Sequence, residues 1–452
     1  MFLKIANFVV DCLYRYCRAD GLLCAVGDCG AGKKVGNHLC IDELGDFAQY
    51  VSILGRITGN DDYLRWALDQ ALRGLSVSQA SDGLIYHDKG SAQKAIKFFP
   101  LIRYGDTFWG LSEMYRVQRE EGLKEAFDRL IGGTFKFCLV NGLPSYGCFF
   151  IGKKAITLPI AEVMTSGYLA ESAVNMYLLT RQDNYLDLAK RITEKWLATQ
   201  SFKVHSMFLR HCRTDWPWIS KGIFDLQFRL RGRPGMNETI LVKGDTYLIF
   251  SILALYRASS DRKLARAVIR WREAVATRAT TPDGRFFNSI NLKNNKKYSV
   301  RLEENHSIIE AMIDIAVDFN DEESLKLAER ACDSWLSRAD RNMLIPNSDD
   351  EPFVRLDPLL DFSVNLLKLS ELNRRENFRE RAFEIFNSAL KHFRLPYGFS
   401  EAIHKDTLSP ASSLVKTKFL GLLIKGLLIF HFVNKGGTIL SKLENRLLAS
   451  DR

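Results

Sequence analysis

A unit of two helices recurs along this chain, and a repeat of that kind restricts the fold more than any single motif can. Each copy opens on a small or acidic residue, runs on as an apolar helix, turns through a few polar residues and continues as an amphipathic helix. Four copies are ELGDFAQYVSILGRITGNDDYLRWALDQAL, YGDTFWGLSEMYRVQREEGLKEAFDRL, TSGYLAESAVNMYLLTRQDNYLDLAKRITEKWL and KGDTYLIFSILALYRASSDRKLARAVIRWREAV; ENHSIIEAMIDIAVDFNDEESLKLAERACDSWL and LDFSVNLLKLSELNRRENFRERAFEIFNSAL follow. The first helices start near Gly45, Gly105, Gly167, Gly244, Asn305 and Asp361, a spacing of roughly 56 to 77 residues, within the reach of helical-repeat architectures. A seventh first helix follows Ser413.

The first helix of each copy is apolar nearly all round, as a helix buried on both sides must be, whereas the second carries the stripe of a surface helix. First helices are therefore inner and second helices outer. The N-terminal helix, with Phe2, Ile5, Phe8, Val9, Cys12 and Leu13 on one face, supplies the outer partner of the seventh inner helix. The expected fold is all-α: a closed (α/α)7 toroid of helical hairpins, or an (α/α)6 ring with extra helices, with an open solenoid as the alternative. One domain spans residues 1–452, with a long insertion at 199–243. Inner-to-outer turns are short. Outer-to-inner connections are long enough to be functional, carry the turn signals ADGLL, SDGLIYH, NGLPSYG, TPDGRFF and LPYGF, and fall at one end of the ring, where the inner helices begin.

Composition excludes other classes. With 46% hydrophobic and 26% charged residues the chain is neither disordered nor low-complexity. Its net charge of +10 and pI of about 9.0 favour an anionic sugar or an acidic membrane surface as partner, with peripheral membrane contact at most. Dense Lys/Arg runs with interleaved aromatics are missing, so no nucleic-acid partner is expected. Nine cysteines and no recognisable secretory leader read as reduced thiols in a cytoplasmic protein. The apolar stretch Phe419–Val433 is interrupted by Lys425 and reads as a buried helix; no transmembrane segment is expected. Cys24, Cys29, His38 and Cys40 do not have zinc-site spacing, and DCGAGKKVG at Asp28 lacks the phosphate-loop pattern, so neither a metal nor a cofactor is expected.

Chemistry is sought where the inner helices start. Glu43 and Asp46, Asp106, Glu162, Asp245, Glu303 with Glu304 and His306, and Asp357 with Asp361 bring carboxylates from six segments to one rim. Paired carboxylates with separated proton affinities are what acid and base work on a glycosidic or sugar C–H bond requires. Asp106, Glu303, Glu304, His306 and Asp245 are the catalytic candidates. Glu43, Asp46, Arg103, Tyr104, Trp109, Tyr247 and Asp361 are the substrate-binding candidates. Asp106 at a helix N-terminus suits a base, and Glu303 or Glu304 the acid. Helix capping is the competing explanation for Asp106 and Asp245.

The G-D-T-x3-L opening, the outer-helix pattern of TGNDDYLRWA and TRQDNYLDLA, and the D-G-L loops resemble those of α/α-toroid glycan-active enzymes: unsaturated glucuronyl hydrolases, the N-acylglucosamine 2-epimerase family and class I α-mannosidases. LVKTKFLGLL departs from the mannosidase Glu-Thr pair, and the Cys and His zinc ligands of the lanthionine cyclases are absent. The resemblance implies a carbohydrate-active enzyme, a glycoside hydrolase or lyase on a uronic-acid-containing glycan. A sugar epimerase or isomerase is the alternative, and a non-catalytic glycan- or peptide-binding repeat protein the rival outside enzymes.

Overall fold

The computed structural model describes residues 1–36, 44–86, 96–209, 211–212 and 239–439. Among them are fifteen α-helices. Seven are inner: α2 (Leu44–Thr58), α4 (Gly105–Gln118), α6 (Val163–Thr180), α9 (Val242–Ser259), α11 (Leu302–Phe319), α13 (Leu356–Asn373) and α15 (Thr417–Asn434). Each packs on the next, and α15 packs back on α2, so the ring closes with seven members. Outside them stand α1 (Phe2–Arg15), α3 (Asp61–Ser78), α5 (Glu121–Phe137), α7 (Asp183–Leu197), α10 (Arg262–Ala274), α12 (Glu322–Leu336) and α14 (Glu376–His392). The short α8 (Gln200–His205) follows α7. α1 packs on α15, completing the seventh pair with the two ends of the chain. α15 is long and apolar enough to cross a membrane, but here it is a wall of the ring.

The outer helices bury one stripe each, and its spacing explains why they fold as they do. In α10, Leu264, Val268 and Trp271 recur at four and three residues and are buried; in α12, Leu327, Ala331 and Trp335 recur at four residues and are buried as well. Trp196, Trp271 and Trp335 are among the largest wholly buried side chains and fill the space between the two layers. Inner helices approach so closely at one point that only glycine fits: a Cβ on Gly110 would lie 1.9 Å from the Cα of Gly45.

The short turns share one device. Gly59, Arg119, Arg181, Ser260, Asn320 and Arg374 each follow an inner helix with φ between 51° and 66°, and the next residue leads into the outer helix. This left-handed cap reverses the chain in two residues. After the outer helices the long connections begin with small hairpins turned by Gly21, Gly83, Gly142, Gly284 and Gly398, all at positive φ, at the positions the turn signals mark. Thin antiparallel sheets sit above the ring. Thr239–Leu241 pairs with Ser289–Asn291 (Thr239 opposite Asn291), which pairs with Lys297–Tyr298. Val26–Asp28 pairs with Leu414–Lys416, joining the first connection to the last.

Helix starts differ from the sequence expectation in two places. α6 begins at Val163, with Glu162 as its N-cap accepting the Thr165 N–H at 2.7 Å, and α13 begins at Leu356. Asp361 is consequently one turn inside its helix. Of the 199–243 insertion, α8 and the strand entering α9 are described; residues 213–238, which hold FRLRGRPG, lie outside the described residues.

Candidate active site

Five inner helices place a charged residue second in the helix, and these charges surround the mouth: Asp106 on α4, Lys243 on α9, Glu303 on α11, Asp357 on α13 and Lys418 on α15. Identical positions on parallel helices point the same way, so the ring turns a sequence register into a cluster. Lys418 Nζ donates to Asp106 Oδ2 at 3.5 Å and lies 3.9 Å from Asp46 Oδ2. Lys243 Nζ donates to the Glu303 carbonyl at 2.8 Å. Arg301 and Arg355 reach the Glu303 carboxylate at 3.3 and 3.4 Å and Glu351 at 3.6 Å each.

These surroundings separate the carboxylates chemically. Burial pushes Asp357 up to about 7, against the pull of Lys243, and its side chain is only half-buried. Glu304 goes up to about 8, through burial and then the charge of Glu303; its Oε2 has no hydrogen-bond partner among the described residues. Near neutral pH the rim thus holds carboxylic acids on α11 and α13, while Asp106 and Asp46 face the Lys418 ammonium on the adjoining wall.

A second layer lies below. Lys425 Nζ donates to Asp361 Oδ1 at 3.1 Å, and His306 Nδ1 stands 3.7 Å from Asp361 Oδ2. Deeper still, Lys368 donates to Glu310 Oε1 at 2.7 Å. Burial holds His306 down to about 4, so it is a neutral imidazole. Glu310 is held down to about 2: burial opposes its charge and Lys368 overrides it. About a quarter of the side-chain surface of Asp361 and of Lys425 remains open, so the axis of the ring is an accessible polar space rather than a packed core. Aromatic pairs line the remaining wall: the Tyr168 and Tyr247 rings are 4.6 Å apart and tilted by 30°, and Trp109 is 6.5 Å from Tyr50.

Two candidates from the sequence face elsewhere. Asp245 is wholly buried, accepts the Phe208 N–H at 3.0 Å, and faces Trp271 of the outer layer. Asn305 does the same work on α11, taking Phe286 N–H at 2.8 Å and Trp335 Nε1–H at 3.1 Å. Asp245 is therefore a clamp for the connection rather than a rim carboxylate. The reason is register: Asp106 is second in α4 and Asp245 fourth in α9, and two residues rotate a side chain by about 200°. Tyr104 is also buried, its hydroxyl accepting the Ile85 N–H at 3.0 Å, so it clamps a loop instead of meeting a ligand. Arg103 is exposed on the turn before α4. Glu43, His38 and Cys40 lie outside the described residues. Lys243, Lys418 and Lys425 were missed as site residues, because a lysine on an apolar helix carries no signal until the ring axis is known.

Fold and rim together define an α/α toroid of helical hairpins with its polar mouth at the N-termini of the inner helices. Among solved structures the chain is similar to D-mannose isomerase (TM-score 0.58, 7% identity, covering 74% of this chain and 87% of that one). It is also similar to cellobiose 2-epimerase from Bacillus thermoamylovorans B4167 (0.55, 11%, 94% and 99%) and the GH76 α-mannanase from Bacteroides thetaiotaomicron (0.51, 13%, 73% and 86%). All three are α/α-toroid glycan enzymes, and at these identities the likeness establishes the fold. No family model matches the chain, and no curated protein matches it in sequence.

Proposed function

We propose that this protein is a carbohydrate-active enzyme working at the mouth of the ring, and that it hydrolyses a glycosidic bond. The observation that carries this reading is the pair of carboxylate settings on one rim. Asp357, half-open and protonated to about pH 7, is fitted to protonate a leaving oxygen. Asp106, held against Lys418 at 3.5 Å, is fitted to take a proton from water. The Lys418 charge also favours ionisation of Asp357, but less than burial opposes it. Trp109, Tyr168 and Tyr247 offer ring faces for a sugar to pack on. Of the mouth's cations, Lys418, Arg301 and Arg355 are each committed to a carboxylate and Lys243 donates to the Glu303 carbonyl, which favours an uncharged sugar unit as the one that reacts there.

A second reading rests on His306. A neutral imidazole on the ring axis, 3.7 Å from Asp361, is equipped to remove a proton from carbon next to a carbonyl, the step an epimerase or isomerase needs. The test is incubation of the purified protein with a panel of β- and α-linked gluco-, manno- and uronate oligosaccharides in deuterated water. Hydrolysis releases shorter sugars without carbon-bound deuterium. Epimerisation keeps chain length and places deuterium on carbon. A protein that alters none of them loses the enzymatic reading and becomes a binder.

A further inference from the structure

On the outside of the ring a groove of about 670 Å³ opens between α10 and α12, a volume ordinary for a small-molecule site. α10 widens at its end into a π-helical turn, Val275–Ala279, a distortion that recurs at functional sites; Thr280, directly after it, lines the groove. Three cations do so as well, Arg272, Lys297 and Arg330, beside one carboxylate, Glu323, which is paired with Lys326 at 2.9 Å. Arg272 is held by Asp321 at 3.3 Å. Lys297 and Arg330 make no ion pair among the described residues, and the Lys297 ammonium sits 5.1 Å from the centre of the half-buried Phe287 ring. Phe287 and Leu327 supply the apolar lining.

We propose that this groove is a second ligand site, for a sugar bearing a carboxylate or phosphate group. Lys297 and Arg330, without an ion pair among the described residues, give the anion its partners. Phe287 and Leu327 meet the C–H face of a ring, and the Thr280 oxygen, whose proton goes to the Val275 carbonyl at 3.2 Å, is left to accept from a hydroxyl. The sugar skeleton of the ligand rests on the carbohydrate reading above; the anion does not. The strand carrying Lys297 runs on to Arg301 and Glu303 at the mouth, so the two sites share one connection.

The test is calorimetric titration of the full chain with trigalacturonate, glucose 6-phosphate and uncharged cellotriose. Wild type, Lys297→Ala/Arg330→Ala and the mouth variant Asp357→Asn are compared. At least one charged probe should bind wild type and Asp357→Asn equally and bind the double variant at least about 10-fold more weakly, whereas cellotriose binding should not respond to the double variant. Which charged probe binds identifies carboxylate or phosphate. The proposal is overturned if neither charged probe binds, if the double variant binds as well as wild type, or if only Asp357→Asn loses binding. That last result would place the anion at the mouth and leave the catalytic reading standing. Lys297→Arg should bind within about 2-fold of wild type, which a lost fold would not allow.

Discussion

Lys418 and Asp106 meet across the seam where the ring closes, 3.5 Å apart, and Asp46 lies 3.9 Å from the same ammonium. One cation therefore ties α15 to both α2 and α4. Lys418→Met removes it and leaves the two acids facing one another. The variant should melt a few degrees below wild type, because two neighbouring carboxylates then lack the cation they share, and thermal denaturation of both proteins checks this.

Stability should fall as pH rises through neutrality. Asp357 and Glu304 have native values near 7 and 8, above the ordinary carboxylate range, because burial disfavours their charge. Between about pH 4 and 8 the native state binds more protons than the unfolded chain, so these two groups lower stability progressively across that window. Glu304→Gln keeps the shape and removes the charge. Its melting temperature should lose much of this slope and exceed that of wild type at pH 8.5, as thermal denaturation at several pH values would show.

Asp245 and Asn305 do one job with different side chains, which predicts how each tolerates exchange. Asp245→Asn keeps an acceptor for the Phe208 N–H, and should leave both stability and turnover near wild type. Asp245→Ala strands that buried donor, costing about 1 to 3 kcal/mol in denaturant unfolding. A large loss of turnover in Asp245→Asn with an intact fold would return the residue to the active site.

Ser260 caps α9 at φ 55°, a conformation that a Cβ makes unfavourable by about 1 to 2 kcal/mol. Ser260→Gly relieves that strain, offset in part by the greater freedom of glycine in the unfolded chain. A gain of up to about 1 kcal/mol is expected from urea unfolding. Unchanged or reduced stability would mean that contacts of the serine outweigh the backbone term.

The ring was legible because its causes are local. Apolar periodicity separates inner from outer helices, and left-handed turns and hairpin glycines sit at fixed offsets from the repeats. Asp46, Asp106, Glu303 and Glu304 were legible as rim residues for the same reason. Asp361 proved to lie a turn deeper because the start of α13 carries no glycine to mark it. The facing of Asp245 was hidden by a two-residue difference in helix start that identical Gly-Asp-Thr triplets conceal. Lys243, Lys418 and Lys425 were illegible for a different reason. A lysine in an apolar helix is ordinarily a solvent contact, and only closure of the ring by α15 against α2 turns these three inward.

The acid and base roles of Asp357 and Asp106 are tested most directly by turnover of Asp357→Asn and Asp106→Asn on an oligosaccharide the wild type cleaves, measured alongside melting temperature. Both variants should melt within a few degrees of wild type and lose at least about 100-fold in kcat, and Asp357→Asn should lose the fall in rate that wild type shows above about pH 7. Two fully active, normally folded variants would contradict the account.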